Sequence, residues 1–178
     1  MNLAWPITTP ELSVDEITLV PWTTARGIYN VVADLTATSR DPRMIEFTGV
    51  PDEYTEQMAE EFLDDSTSVR WAIVLGKRYC GNIELRLLNE ASRSIDVGYS
   101  VSPWARTKNV APRALRLVTE HAFSQNVFRI ELRAATVNTA SRRVADKAGF
   151  VFEGVARGAE HLRGNIYDLA VYSRLVTD

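Results

Sequence analysis

Two cationic side chains, Arg106 and Lys108, stand just before a segment with the pattern of an amphipathic helix. A helix N-terminus exposes backbone N–H groups that have no partner within the helix, and it carries a partial positive charge. Anions are stabilised there by hydrogen bonds and by the dipole together, and neighbouring basic side chains add charge-assisted contacts. The pattern is therefore compatible with a phosphate-binding loop. An alternative interpretation is that Asn109 simply caps the helix and that both basic side chains are solvated.

A second candidate for chemistry is the hydroxyl of Ser141. It falls three positions after Asn138, which follows a strand pattern and can cap a helix with its side chain. Ser141 would then lie in the first helical turn, near the end of the preceding strand, where it could donate a proton. The competing interpretation is an ordinary serine at a helix start, which is common.

A third candidate stretch, residues 159–168, is expected to form a loop between the last two strands and contains a carboxylate, an imidazole and a guanidinium. Loops on a rigid scaffold often carry functional residues. Glu160 could act as a general base toward an amine if burial or neighbouring groups raise its pKa. His161 is an alternative base. The structural alternative is an ion pair within the turn between Glu160 and Arg163.

The composition excludes several classes of function. The chain has 178 residues, 46% hydrophobic and 24% charged, so we expect one domain over residues 1–178. A net charge of -3 disfavours a general nucleic-acid binder. One cysteine, Cys80, and two histidines predict neither a disulfide nor a metal site. We find no signal-peptide pattern and no apolar run of about 20 residues, so we expect a cytoplasmic protein that does not enter a membrane.

The candidate residues must be positioned by strands and helices, which hydrophobic periodicity predicts. Strand patterns occur seven times, at residues 17–20, 69–75, 79–88, 94–101, 128–134, 150–156 and 166–175. The turn at Gly76 and Lys77 predicts an antiparallel hairpin, and the strand–helix–strand order around residues 94–134 predicts a parallel crossover. We therefore expect an α/β (α+β) fold with a mixed sheet of about seven strands.

Helical periodicity is found in four segments. The first runs from Trp22 to Leu35, with Tyr29 on its inner face, and a polar loop at residues 36–43 follows it. The second covers residues 54–63, with Met58 and Phe62 facing inward. The third and fourth begin after Asn109 and Asn138, and Gly149 is well placed to end the fourth.

In order and spacing, these features resemble the GNAT superfamily of acetyl-CoA-dependent N-acetyltransferases, over essentially the whole chain. The marks are residues 49–54 before the second helix, V97-G-Y-S-V-S-P103, Asn138 and Ser141 running into A148-G-F150, E153-G154, and A159-E160 ahead of Y167-D-L-A-V-Y172. Within the superfamily, the layout is most similar to the ribosomal-protein-alanine N-terminal acetyltransferases. The resemblance implies a mostly antiparallel sheet with helices on both faces and one splayed parallel strand pair.

The resemblance also implies where coenzyme A binds. In the family, a loop with the pattern R-x-x-G-x-G or R-x-x-G-x-A binds the pyrophosphate through backbone amides, and Arg106, Asn109 and Ala111 occupy these places. This chain departs from the pattern, because Asn109 replaces a glycine, Thr107 stands where glycine is frequent, and Pro112 has no N–H. The implied cofactor-binding residues are Val101, Arg106, Thr107, Lys108, Asn109, Val110, Ala111 and Asn138.

By the same resemblance, Glu160 is the general base and Ser141 hydrogen-bonds the departing thiolate and can protonate it. A backbone N–H near Val101 would hold the developing oxyanion. Transfer would be direct, in a ternary complex with acetyl-CoA as co-substrate and no metal.

The acceptor implied by the branch is a protein or peptide α-amine, of a ribosomal protein for example. The same architecture also serves small amines such as aminoglycosides and polyamines, because fold does not determine substrate. A different class stays open as well, a non-catalytic acyl-CoA-binding module, which the altered loop at residues 106–112 motivates. No nucleic-acid or membrane partner is expected, and pairing of two copies into a homodimer through the closing strands is left open.

Overall fold

Eight strands form one sheet in the order β1-β2-β3-β4-β5-β6-β8-β7 in the computed structural model, which describes residues 2–178. All neighbouring strands are antiparallel except β5 and β6. The seven predicted strands are present, and the eighth is a three-residue edge strand that the sequence pattern did not reveal. The strands are Leu12–Val14 (β1), Ile17–Pro21 (β2), Val69–Leu75 (β3), Arg78–Asn89 (β4), Ser94–Val101 (β5), Arg129–Ala135 (β6), Val151–Leu162 (β7) and Asn165–Leu175 (β8).

Helices cover both faces of the sheet, as expected. On one face, α4 places Leu115 and Val118 in a core that also contains Ile83 of β4. On the other face, Leu35 of α1 and Leu63 of α3 pack in a second buried cluster. Burying such a side chain contributes about 1.5–3 kcal/mol each, so these contacts hold the helices to the sheet. The helices are Val31–Ser39 (α1), Pro42–Phe47 (α2), Glu56–Leu63 (α3), Val110–Ser124 (α4) and Thr139–Lys147 (α5), with 3₁₀ turns at Trp22–Gly27 and Pro103–Ala105.

The parallel pair β5–β6 is splayed. The two strands are paired over three positions only, from Ser94 with Arg129 to Asp96 with Glu131, although they continue to Val101 and Ala135. Beyond that point, the backbone groups of β5 that face β6 have no strand partner, and buried backbone groups need one. We call this opening the wedge. Its mouth is at the carboxyl ends of both strands.

A bulge in β4 shapes the strand that borders the wedge. Ile73 of β3 pairs with Gly81, whereas the next residue of β3, Val74, pairs with Tyr79, so β4 has one extra residue at Cys80. Gly81 adopts a φ of 147°, and a Cβ atom there would lie 2.1 Å from the carbonyl oxygen of Ser100. Glycine therefore permits β4 to approach the end of β5 closely, and a bulge of this kind also bends the strand.

The region between β2 and β3 differs from the sequence-based prediction. The expected helix from Trp22 to Leu35 is a 3₁₀ turn followed by α1, separated at Asn30, whose φ of 54° is incompatible with a continuous helix. Tyr29, predicted to face inward, is 80% exposed. The expected loop at residues 36–43 contains the last turn of α1 and the start of α2. Met58, also predicted to face inward, is exposed.

The closing hairpin is longer than predicted. β7 continues to Leu162 and β8 starts at Asn165, so residues 159–168 lie mostly in strands rather than in a loop. Arg163 and Gly164 form the two-residue turn, and both have positive φ, which is the geometry that suits the twist of a hairpin. Since β8 pairs with β6 only from Leu169 onward, the tip of the hairpin projects beyond the end of β6.

The short helix α2 contains no buried residue, and side chains from other elements hold it in place. At its start, the guanidinium of Arg106 contacts the carboxylate of Asp41. At its end, Arg163 donates to the carbonyl oxygen of Ile45 at 2.7 Å and also contacts Val50 O and the Asp52 carboxylate. We call residues 41–52 the α2 segment. Two arginines thus hold it, in addition to the apolar contacts of Val50 with the second buried cluster and of Phe47 with Tyr167.

Replacing Arg163 with alanine is therefore expected to release the α2 segment without unfolding the sheet. Hydrogen bonds from charged groups contribute about 1.5–3 kcal/mol, so amide hydrogen exchange in residues 42–52 should become roughly tenfold faster or more. Exchange in α4 should not change. Arg157→Ala, on an exposed arginine of the same hairpin, is the matched control. Equal exchange rates in wild type and Arg163→Ala would contradict this account.

A second expectation concerns Glu153 of β7. Arg129 donates to both of its carboxylate oxygens at 2.6 Å and Ser173 donates at 2.7 Å, and these hydrogen bonds lower the pKa of Glu153 from 4.5 to about 2. Because the pKa is lower in the folded state, the stabilisation is complete above pH 4.5 and is lost as the pH falls toward 2.

Glu153→Gln should therefore lower the free energy of unfolding at pH 7, by about 0.5–1 kcal/mol for a pair that is partly exposed. The difference from wild type should shrink between pH 4.5 and pH 2.5. Urea unfolding at several pH values measures it, with Glu11→Gln on an exposed carboxylate as control. A difference that does not vary with pH would contradict the assignment.

Candidate functional site

The loop between β5 and α4 adopts the backbone geometry of a glycine-rich loop although it contains no glycine. Thr107 has a φ of 65° and Asn109 a φ of 54°, both in the left-handed region. Few residues other than glycine adopt this region, and a β-branched threonine does so rarely. The two positions where glycine was expected thus keep the conformation that glycine would provide.

The N-terminus of α4 is open to an anion. The side chain of Asn109 does not cap the helix; its Oδ1 instead accepts a hydrogen bond from Lys147 Nζ at 2.9 Å. The first turn of α4 contains no acidic residue, and its backbone N–H groups without a partner in the helix belong to Val110 and Ala111, because Pro112 has none. A negatively charged group would be stabilised here by these amides and by the helix dipole.

The two basic side chains before α4 have different environments. Lys108 is exposed, whereas Arg106 is half-buried and contacts Asp41 of the α2 segment. Burial opposes ionisation of Asp41, but the Arg106 guanidinium overcomes this effect and lowers the pKa of that carboxyl. Arg106 is therefore positioned by a carboxylate, and only its remaining N–H groups are free to contact a phosphate.

Val101 and Asn138 lie near the ends of the two splayed strands. Val101 is the last residue of β5 and pairs with Gly81 on the β4 side. Asn138 follows β6; its backbone N–H donates to Ala135 O at 2.8 Å, and its Oδ1 accepts from the Ser141 N–H at 3.1 Å. Asn138 caps α5 as predicted. The cap places Ser141 in the first turn of the helix.

Ser141 forms a hydrogen bond with a tyrosine that the sequence did not mark as a site residue. Tyr99 of β5 has its hydroxyl 2.9 Å from Ser141 Oγ and 3.3 Å from Ser141 O. Burial raises the pKa of Tyr99 to about 12, and the hydrogen bond with Ser141 opposes this shift only in part. Both side chains are half-buried, and the contact joins β5 to the helix that follows β6.

Glu160 lies in β7, opposite Tyr167 of β8, on the part of the hairpin that projects beyond β6. It is half-buried, and His161, the next residue along the strand, is exposed. The turn ion pair with Glu160 that the sequence allowed is replaced by contacts of Arg163 with the α2 segment. Glu160 therefore lies past the carboxyl end of β6, at the same end of the sheet as the mouth of the wedge.

Three residues of the site were missed by sequence reasoning: Tyr99, Asp41 and Lys147. Tyr99 falls in the strand predicted at residues 94–101, but alternation does not tell which side chain it meets. Asp41 lies in a stretch that was read as a polar loop. Lys147, at the end of α5, meets Asn109 only because α4 and α5 pack side by side.

The arrangement is suited to acyl transfer without a covalent protein intermediate. Cys80 is fully buried, and burial raises the pKa of its thiol to about 12, so it is not a nucleophile.

Within residues 2–178, no three histidine, cysteine or carboxylate side chains are grouped as metal ligands. None of the helices in this part of the chain combines the length and the apolar character needed to cross a membrane.

Comparison with known proteins identifies the family of the chain. The family model for the acetyltransferase (GNAT) domain matches residues 17–151. Among curated proteins, "Putative ribosomal N-acetyltransferase YdaF" of Bacillus subtilis (strain 168) is 30% identical over 112 residues, 62% of this chain and 61% of the relative. The chain thus matches less than two thirds of the length of that relative.

Solved structures share the fold at low identity. A GCN5-related N-acetyltransferase from Brucella melitensis superposes with a TM-score of 0.82 at 22% identity, over 98% of this chain and 82% of the other. RimL, described as a ribosomal L7/L12 alpha-N-protein acetyltransferase in complex with coenzyme A, has a TM-score of 0.79 at 16% identity, over 94% of this chain and 98% of the other. The family match over most of the chain, with the splayed strands and the open start of α4, shows that this protein belongs to the GNAT acetyltransferase family.

Proposed function

We propose that the protein is an acetyl-CoA-dependent N-acetyltransferase that acts on a primary amine. The observation that carries the proposal is the wedge between β5 and β6, with unpaired backbone groups along β5 and the uncapped N-terminus of α4 after it. An extended amide chain can pair with the first, and a pyrophosphate can bind the second. Coenzyme A has both parts in one molecule.

The residues of the loop fit the phosphate end of that co-substrate. Left-handed dihedrals at Thr107 and Asn109 turn the chain so that the amides of Val110 and Ala111 begin the helix. Lys108 supplies a mobile positive charge, and Arg106 a positioned one. Val101 and Asn138 are proposed to hold the pantetheine arm between the strand ends.

The proposed chemistry is a direct attack of the amine on the thioester carbonyl. Glu160 accepts the proton that the amine loses, and a backbone N–H near Val101 donates to the carbonyl oxygen as negative charge develops there. The C–S bond breaks with its electron pair on sulfur, and Ser141 Oγ–H donates a hydrogen bond to that sulfur. Direct transfer in a complex with both substrates needs no cysteine nucleophile, which suits a chain whose one thiol, Cys80, is buried.

For the acceptor, we propose the N-terminal α-amine of a protein or peptide. The name of the relative YdaF and the described activity of RimL support a ribosomal protein, which would place the reaction in the cytoplasm. An α-amine with a pKa of about 8 is partly neutral at pH 7, so it requires less help from a base than a lysine would. Small amines, or acyl-CoA binding without catalysis, are the alternatives, and turnover on a peptide array and an aminoglycoside panel separates them.

Calorimetric titration of acetyl-CoA should give binding in the micromolar range that Lys108→Ala weakens roughly tenfold, because a charge-assisted hydrogen bond to phosphate is lost. Arg157→Ala removes the same charge from an exposed position on β7 and should leave the affinity unchanged. If wild-type protein does not bind acetyl-CoA at all, the proposed function is wrong.

Glu160→Gln should lower kcat/KM for the acceptor by about 10²-fold or more and remove the pH dependence that belongs to the base, with little effect on acetyl-CoA affinity. His161→Ala tests the neighbouring imidazole in the same assay and should be nearly neutral. A Glu160→Gln enzyme with the wild-type rate and pH profile would eliminate Glu160 as the base.

A further inference from the structure

The contact between Tyr99 and Ser141 lies where the two parallel strands have already separated. Pairing of β5 with β6 ends at Asp96, three residues before Tyr99. The hydrogen bond from the Tyr99 hydroxyl therefore crosses the opened part of the sheet and reaches the helix that follows β6. Tyr99 and Val101 both pack partly against the core on the face covered by α4, so the two side chains lie on the same face of β5.

The hydroxyls of Tyr99 and Ser141 can form one hydrogen bond in either direction. When Tyr99 is the donor, the proton of Ser141 is free to bond to another group. Because burial raises the pKa of Tyr99 to about 12, Tyr99 keeps its proton at neutral pH and can donate it. Its acceptors are Ser141 Oγ at 2.9 Å and Ser141 O at 3.3 Å, so donation to Oγ has the shorter distance. With Tyr99 as donor, the Ser141 O–H can turn toward a third group at no loss of hydrogen bonds.

The relative acidities decide what this pair can do for a leaving thiolate. A thiol has an ordinary pKa of about 8.5, so its thiolate is too weak a base to remove the proton of Tyr99 or of an aliphatic hydroxyl. The pair can therefore donate a hydrogen bond to sulfur but not transfer a proton to it, which differs from the proton donation by Ser141 that the sequence suggested. Sulfur leaves as the thiolate and is protonated later by water, while both O–H bonds stay intact.

We propose that Tyr99 is a positioning residue whose hydroxyl holds Ser141 Oγ and directs the Ser141 proton toward the leaving sulfur. The inference rests on the proposed function, since it assumes that coenzyme A occupies the wedge. A hydrogen bond donated to a charged group stabilises the charged form, and donation from Tyr99 polarises the Ser141 hydroxyl further. Tyr99 thereby stabilises the thiolate without contacting it.

The test measures the thiol pKa of coenzyme A bound to the protein, which does not depend on turnover. The thiolate absorbs in the far ultraviolet, and the complex with acetyl-CoA, which has no free thiol, provides the reference. In wild type, the thiol pKa should lie below its ordinary value. Tyr99→Phe and Ser141→Ala should each raise it by about half a unit or more.

Kinetics with an acceptor peptide supply a second readout. Removing one preorganised donor to developing charge costs about 10²–10³-fold in kcat, so Ser141→Ala should lose about that much and Tyr99→Phe about tenfold, with KM for acetyl-CoA unchanged. If Tyr99 acts only through Ser141, Tyr99→Phe should have no further effect in the Ser141→Ala background.

The matched control is Tyr79→Phe. Tyr79 is a fully buried tyrosine of β4 whose hydroxyl accepts a hydrogen bond from Asn82 at 3.2 Å, away from Ser141. It should change neither kcat nor the thiol pKa, whatever its effect on the melting temperature.

Three results would overturn the inference. A Tyr99→Phe protein with wild-type kcat and wild-type thiol pKa shows that the hydroxyl has no role. If the kcat loss of Tyr99→Phe adds to that of Ser141→Ala and parallels a fall in melting temperature, Tyr99 has only a structural role. If wild-type protein does not bind coenzyme A, both the proposed function and the inference are wrong. If it binds coenzyme A but does not turn over, the proposed function fails and the thiol titration alone tests the inference.

Discussion

The separation of β5 from β6 is the constraint on which the rest of the structure depends. Three paired positions hold the strands together at one end, and each strand then relies on its other neighbour, β4 or β8, for its hydrogen bonds. In the proposed function, an extended ligand pairs with the backbone groups that are left unpaired. The strand ends are set apart with Val101 on one side and Asn138 on the other, and a 3₁₀ turn and a short loop lead from β5 to α4.

The elements around this opening are joined by polar contacts as well as by packing. Lys147 connects the end of α5 to Asn109 at the start of α4, and Tyr99 connects β5 to the first turn of α5. On the other side, Arg106 and Arg163 hold the α2 segment between the loop that precedes α4 and the closing hairpin. Since Arg106 belongs to that loop and Arg163 is three residues from Glu160, the proposed cofactor and acceptor sides contact one short helix.

The structure explains how the loop before α4 tolerates residues other than glycine at two positions of the family pattern. Glycine is frequent at two positions because the backbone there must be left-handed, and Thr107 and Asn109 adopt that conformation in spite of their side chains. Asparagine does so at small cost, and a β-branched residue at a larger one. The Asn109 side chain also gains the hydrogen bond from Lys147, which a glycine could not accept.

Alternation and helical periodicity predicted seven of the eight strands and the helices after Asn109 and Asn138, and residue type predicted that Asn138 caps the helix that contains Ser141. These features depend on residues that are near one another in the chain. The order of motifs identified the family and predicted the splayed pair. The break at Asn30, the three-residue strand β1 and the length of the hairpin were decided by tertiary packing, which overrides local preference in short segments. The partners of the site residues, Asp41 for Arg106, Lys147 for Asn109 and Tyr99 for Ser141, lie 38 to 65 positions away along the chain. Only the folded sheet brings them together, since periodicity tells which way a side chain points and not what it will meet.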